Sequence, residues 1–146
     1  MKVFRGMLYM IVIAALFFVP LQRVEIANLE PVQAVWLCLE EENVVLETDT
    51  EDRGSGGTVA EALEDMKRKS PGIVYLDTAQ YLFVKEPAQE QISALCPYMK
   101  RSTKVCRWDG RGSISDAVKC ADAHKIGLKL KNWVASSKLP ELPPLK

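Results

Sequence analysis

Residues 32 to 39, Val32-Gln33-Ala34-Val35-Trp36-Leu37-Cys38-Leu39, are apolar at every position but one. The run has the length of a strand, and near-continuous apolarity is what a strand covered on both faces requires. A central strand is expected here. After the polar turn Glu40-Glu41-Glu42-Asn43, the segment from Asn43 to Thr48 reads as a second strand, so the two make a hairpin.

From Thr58 the periodicity becomes helical, with Val59, Ala62, Leu63 and Met66 on one face. Lys67, Arg68 and Lys69 crowd its last turn, which suits the helix dipole, and Ser70-Pro71-Gly72 ends it. Ile73 to Leu76 and Gln80 to Val84 are β-branched and aromatic, one interrupted strand or two short ones. A second helix is expected from Pro87, with Ala88, Ile92, Leu95, Cys96 and Met99 inward, and Pro97 ends or kinks it. Thr103 to Trp108 reads as a strand, Asp109 to Gly112 as a turn, and Ile114, Ala117, Val118 and Ala121 as the inner face of a third helix. The order ββαβαβα predicts an α/β sandwich of two or three layers around one mixed sheet.

Between the second strand and the first helix stands Arg53-Gly54-Ser55-Gly56-Gly57-Thr58, which invites comparison with a phosphate loop. Such a loop needs a lysine and a hydroxyl after its last glycine, and Gly57 is followed by Thr58 and Val59. Glu47, Asp49, Glu51 and Asp52 would also repel a polyphosphate. No nucleotide is expected. The stretch reads instead as a flexible connection ending in a capping box, where the Thr58 hydroxyl caps the helix and Glu61 reaches back to the Thr58 amide. Ser113 and Asp116 repeat this arrangement ahead of the third helix.

The N-terminus has another character. Lys2 and Arg5 precede fifteen uncharged apolar residues, Met7 to Leu21, and Arg23 follows them. The run is short for a spanning helix and close to the apolar core of an export signal, but no small-x-small cleavage site follows it. We expect an uncleaved helix over residues 1 to 22 that holds the protein to a membrane through residues 7 to 21. The basic residues ahead of it put the N-terminus in the cytoplasm and the domain outside. Residues 23 to 126 would form the α/β domain, and 127 to 146 a C-terminal extension with a Pro-rich tail.

Nineteen basic and nineteen acidic residues give no net charge, so the positive excess that drives nucleic-acid binding is missing. No nucleic-acid partner is expected. Charge is nonetheless segregated: residues 40 to 65 carry ten acids and the single base Arg53, whereas residues 100 to 146 carry eleven bases and four acids. Outside the cytoplasm, Cys38, Cys96, Cys106 and Cys120 could form disulfides in any of three connectivities, or remain buried thiols. No CxxC occurs and His124 is the only histidine, so neither a metal site nor a Cys/His pair is expected. No GxSxG elbow is present, and no catalytic or cofactor-binding set emerges. Trp36, Trp108 and Trp133 read as core residues before ligand-groove residues.

Three stretches carry a resemblance. Arg23-Val24-Glu25-Ile26-Ala27-Asn28-Leu29 opens the domain, Gly57 to Leu63 leads on to Glu86-Pro87-Ala88, and Ser102 to Ser113 joins a strand, a glycine turn and the last helix. Together, over residues 23 to 123, they resemble the N-terminal domain of GerAC-like spore germination proteins, the C subunit of GerA-type germinant receptors. The resemblance implies a non-catalytic extracytoplasmic domain acting in germination or sporulation through contacts with other germination receptor subunits. Family members are lipoproteins, and Pro20 stands where the lipidated cysteine would fall, so the apolar run would provide the attachment. An extracytoplasmic thiol-redox or other enzyme, or a small-ligand sensor domain, is the alternative.

Overall fold

The computed structural model describes residues 29–133 and 138–143. The expected anchor, residues 1 to 22, lies outside them, and among the described residues no helix is long and apolar enough to cross a membrane. Strands β1 (Leu29–Pro31), β2 (Ala34–Glu40), β3 (Asn43–Thr48) and β4 (Arg53–Gly56) precede helix α1 (Val59–Lys69). Then come β5 (Ile73–Tyr75), β6 (Tyr81–Val84), the short α2 (Ile92–Leu95), β7 (Lys104–Arg107), α3 (Ile114–His124), β8 (Leu128–Lys129) and α4 (Leu130–Trp133). The fold is α/β around a mixed six-stranded sheet of order β4-β3-β2-β6-β7-β8, with β1 and β5 paired in parallel apart from it.

The apolar run from Val32 does form an interior strand. β2 pairs with β3 antiparallel on one side and with β6 parallel on the other, and β7 runs parallel beyond β6. Side chains alternate across the sheet because successive residues of a strand point to opposite faces. Val35, Leu37, Leu82, Val84 and Val105 enter a core with Val59, Leu63 and Met66 of α1 and Ile92 and Leu95 of α2. Ala34, Tyr81, Phe83 and Cys106 face a second core with Trp108 and with Ile114, Ala117 and Ala121 of α3. Helices therefore cover both faces, and the sandwich has three layers.

Several expectations are corrected. Arg53 to Gly56 is not a flexible connection but an edge strand, paired with β3 from Val44 opposite Gly56 to Glu47 opposite Arg53. Its glycines serve close packing: a Cβ on Gly54 would lie 2.1 Å from the Ala62 carbonyl oxygen, and one on Gly56 2.5 Å from Glu61 Cβ. The second helix is one α turn between two 3-10 segments, Glu86–Gln91 and Cys96–Tyr98. Pro87 and Pro97 lie in these segments and lack the amides a longer helix would need. Of the two readings of Ile73 to Val84, the two short strands are the ones formed: β5 and β6 lie in different sheets, separated by a 3-10 turn, Leu76–Thr78. Within the expected extension 127 to 146, β8 pairs with β7, and Leu130 and Leu142 are buried, one in each core.

Candidate functional site

Both expected helix caps have defined geometry, and each differs from a reciprocal box. Thr58, in extended conformation, accepts the Glu61 amide at 3.2 Å, while the Glu61 carboxylate takes the Gly57 amide at 2.8 Å and not that of Thr58. Ser113 accepts the Asp116 amide at 3.1 Å and donates its hydroxyl to the Asp116 carboxylate at 2.7 Å. Aspartate is one methylene shorter than glutamate, and here it meets the capping hydroxyl, which together with Lys119 holds its carboxyl below the usual range. These residues begin helices.

The four cysteines are free thiols. Cys38 and Cys106 point to the same face, but β6 lies between their strands, so their Cα atoms are on the order of 10 Å apart, beyond disulfide reach. Cys96 packs on the α1 side of the sheet and Cys120 on the α3 side. Burial pushes Cys38 up to about 11 and Cys106 up to about 12. At neutral pH such thiols are almost wholly protonated, and the protonated form is neither a nucleophile nor a good metal ligand. Among the described residues no group of three or more His, Cys, Asp or Glu side chains is arranged to hold a metal ion.

Tyr81 donates its hydroxyl to Asp122 at 2.5 Å and accepts from Lys104 Nζ at 3.1 Å, and Lys104 also lies over the ring. Desolvation and the Asp122 hydrogen bond raise the Tyr81 pKa, so the phenol stays protonated. The trio ties α3 to the sheet and does not activate an oxygen. Trp108 packs edge-on against Trp36 and Phe83, each at 5.6 Å between ring centres, and Gly110 with φ of 83° leaves room for the Trp36 ring. Trp36 and Trp108 are thus packing residues, as the sequence suggested.

Among the concave surfaces of the described residues, one of about 410 Å3 lies between β4 and α1, lined by Ser55, Gly56, Glu61, Glu64, Asp65 and Arg68. An apolar groove of about 260 Å3 runs between α1, β5 and the segment after α2, lined by Leu63, Met66, Lys67, Asp77, Tyr98 and all four residues from Ile73 to Leu76. Ile73, Tyr75 and Tyr98 are 46, 49 and 42% exposed, and they are the large hydrophobic side chains that stand out among the described residues. They cluster in one place. The alternation of Ile73-Val74-Tyr75-Leu76 placed Ile73 and Tyr75 on one face, but nothing local marked that face as the outer one.

A further crevice, about 510 Å3, lies at the carboxyl ends of the parallel strands β6 and β7, among Lys85, Glu86, Pro87, Arg107, Trp108 and Asp109. That end of a parallel sheet is where open α/β folds place their ligands. Arg107 donates to Glu86 at 3.1 Å and to Glu141 at 2.5 Å, and both acids raise its pKa further. No sequence signal pointed to this cluster, since Arg107 and Glu141 stand 34 residues apart.

No protein-family model, no curated protein and no solved structure matches the chain.

Proposed function

We propose that this protein is a membrane-anchored, extracytoplasmic, non-catalytic α/β domain that acts in spore germination or sporulation through protein contacts. The observation that carries the contact role is the apolar groove beside β5, where Ile73, Tyr75 and Tyr98 expose their side chains together. Grouped exposed aromatic and aliphatic side chains around a shallow groove are the composition of interface centres. β5 pairs with β1, and β1 follows the apolar run of residues 7 to 21 after only seven residues, 22 to 28. Those seven residues reach at most about 25 Å when extended, so an anchored domain would present this groove close to the membrane, within reach of membrane-embedded receptor subunits.

The resemblance over residues 23 to 123 supplies the germination context, and the run Met7 to Leu21 with Lys2 and Arg5 ahead of it supplies the anchor and its orientation. A thiol-redox enzyme draws no support from Cys38 and Cys106, which burial keeps protonated.

The test is a chromosomal deletion complemented by the wild-type chain or by a Tyr75→Ser/Tyr98→Ser chain. The deletion should impair germination or spore yield, the wild type should restore it, and the double variant should be present in the membrane fraction at normal level without restoring it. Normal spores from the deletion strain would remove the germination role. Full rescue by the double variant would remove the groove from it.

A further inference from the structure

We propose that the carboxyl end of β7 is a recognition site for an extended acidic-aliphatic peptide of a partner protein, and that residues 140–142 are its resident, exchangeable occupant. β8 pairs with β7 only at Lys104 and Val105, so the edge of β7 at Arg107 is left for another strand. Residues of the C-terminal segment take it, with Glu141 bridged in parallel to Arg107. The Arg107 amide donates to the Pro140 carbonyl at 2.8 Å, and the Leu142 amide donates to the Arg107 carbonyl at 2.9 Å. This is strand addition, in which main-chain bonds hold the peptide and alternate side chains select it.

Selection has two parts. The Arg107 guanidinium reaches the Glu141 carboxylate, and Leu142 is only 5% exposed in the core that holds Trp108 and Ile114. An acid followed by an aliphatic residue, in extended conformation, satisfies both. Glu86 meets Arg107 from the domain side at 3.1 Å.

The occupant is held chiefly by Leu142, 5% exposed in the core on the α3 side, with Leu139 packed half-buried against the other core. Its ion pair is at the surface, with the Glu141 side chain 69% exposed, and a single bridged residue makes up its ladder. The crevice of about 510 Å3 lies between Lys85, Pro87 and Asp109 on the domain side and Glu141, Leu142 and Pro143 of the segment itself. A second copy of this chain would bring the same segment and leave the same space, which favours a different and longer partner segment.

The test uses the full chain in dodecyl maltoside micelles and a fluorescein-labelled hexapeptide of the sequence from Lys138 to Pro143, followed by anisotropy. Wild-type protein should bind it weakly, because its own segment competes. Leu142→Asp and Glu141→Lys, each of which loosens the resident segment, should bind it at least about tenfold tighter, since apparent affinity scales with the fraction of open sites. Adding Arg107→Glu should return binding to the wild-type level or below, and a peptide with lysine in place of its glutamate should recover it. Circular dichroism melts establish that the variants are folded. The proposal is overturned if neither loosened variant binds more tightly, if Arg107→Glu changes nothing, or if both loosened variants unfold, which would make the segment a fixed part of the core. A wild-type dimer abolished by Leu142→Asp would assign the site to a second copy and overturn the partner assignment.

Discussion

The Asp65 carboxylate of α1 accepts the backbone amide of Ser55 on β4 at 3.1 Å. β4 is the edge of the six-stranded sheet, and an edge amide left open is a template for pairing with another chain. Asp65 occupies it from within the molecule. The same carboxylate binds Lys69 at 2.5 Å and Arg68 at 2.7 Å, and these three contacts hold its carboxyl well below the usual carboxylate range, Lys69 contributing most.

A depressed folded-state pKa means that the ionised form favours the folded state. Its contribution is fully present above the unfolded value of about 4 and is lost as pH falls toward the folded one. Asp65→Ala should therefore lower the urea midpoint at pH 7, and the gap between variant and wild type should narrow at pH 3 and below. Light scattering should also rise for the variant, because the Ser55 amide is then free to pair. An unchanged gap across this pH range would remove Asp65 from the acid response.

Gly54 and Gly57 separate packing from flexibility. A Cβ on Gly54 would meet the Ala62 carbonyl oxygen and Met66 backbone of α1 well inside contact distance, whereas one on Gly57 would meet only the end of the Glu61 side chain, at 3.2 Å. Gly54→Ala should cost at least about 3 kcal/mol by urea denaturation, at the upper end of what overpacking does. Gly57→Ala should cost less than about 1 kcal/mol, since a flexible side chain can move aside. Equal effects at the two positions would show that helix α1 does not seat on β4 through its glycines.

The glycines also mark where local reading reached its limit. The missing lysine and the upstream acids argued against a phosphate loop, yet only the helix lying across β4 gives the glycines their reason. Periodicity located β2, β3, α1, β7 and α3, because each carries its own apolar pattern. β1 and β8 have three and two residues and take their identity from partners distant in sequence, Leu29 with Ile73 and Lys129 with Lys104, while β5 was legible as a strand but its pairing with β1 was not. The groove and the Arg107 cluster stayed hidden for the same reason. Tyr98 joins Ile73 and Tyr75, and Glu141 joins Arg107, only once the sheet order is known.

Thiol chemistry should divide the four cysteines by position. Cys38 and Cys106 are buried and raised to about 11 and 12, so at pH 7.5 less than about one molecule in a thousand carries either thiolate. Native protein treated with iodoacetamide should be modified first at the half-buried Cys96 and Cys120. Cys38 and Cys106 should react at least about a hundredfold more slowly and become equivalent to the others in denaturant, as read by peptide mass spectrometry. Fast native labelling of Cys106 would mean that the core between β7 and α3 opens readily.

Substitution at the helix caps distinguishes a cap from a polar residue that merely precedes a helix. Thr58 and Ser113 each accept the amide three residues on, one of the amides that a helix cannot satisfy internally. Thr58→Ala and Ser113→Ala should each cost about 1 kcal/mol, and Thr58→Ser and Ser113→Thr should restore most of it. The two sites lie on helices covering opposite faces of the sheet, so the double alanine variant should show the sum of the single losses. The Glu61 carboxylate, which takes the Gly57 amide, adds a second bond at the α1 start that Ser113 does not have at α3. Glu61→Ala should therefore weaken the start of α1 even with Thr58 intact, seen as faster hydrogen exchange at Gly57. An exchange rate at Gly57 indifferent to Glu61 would reduce the α1 cap to its hydroxyl alone.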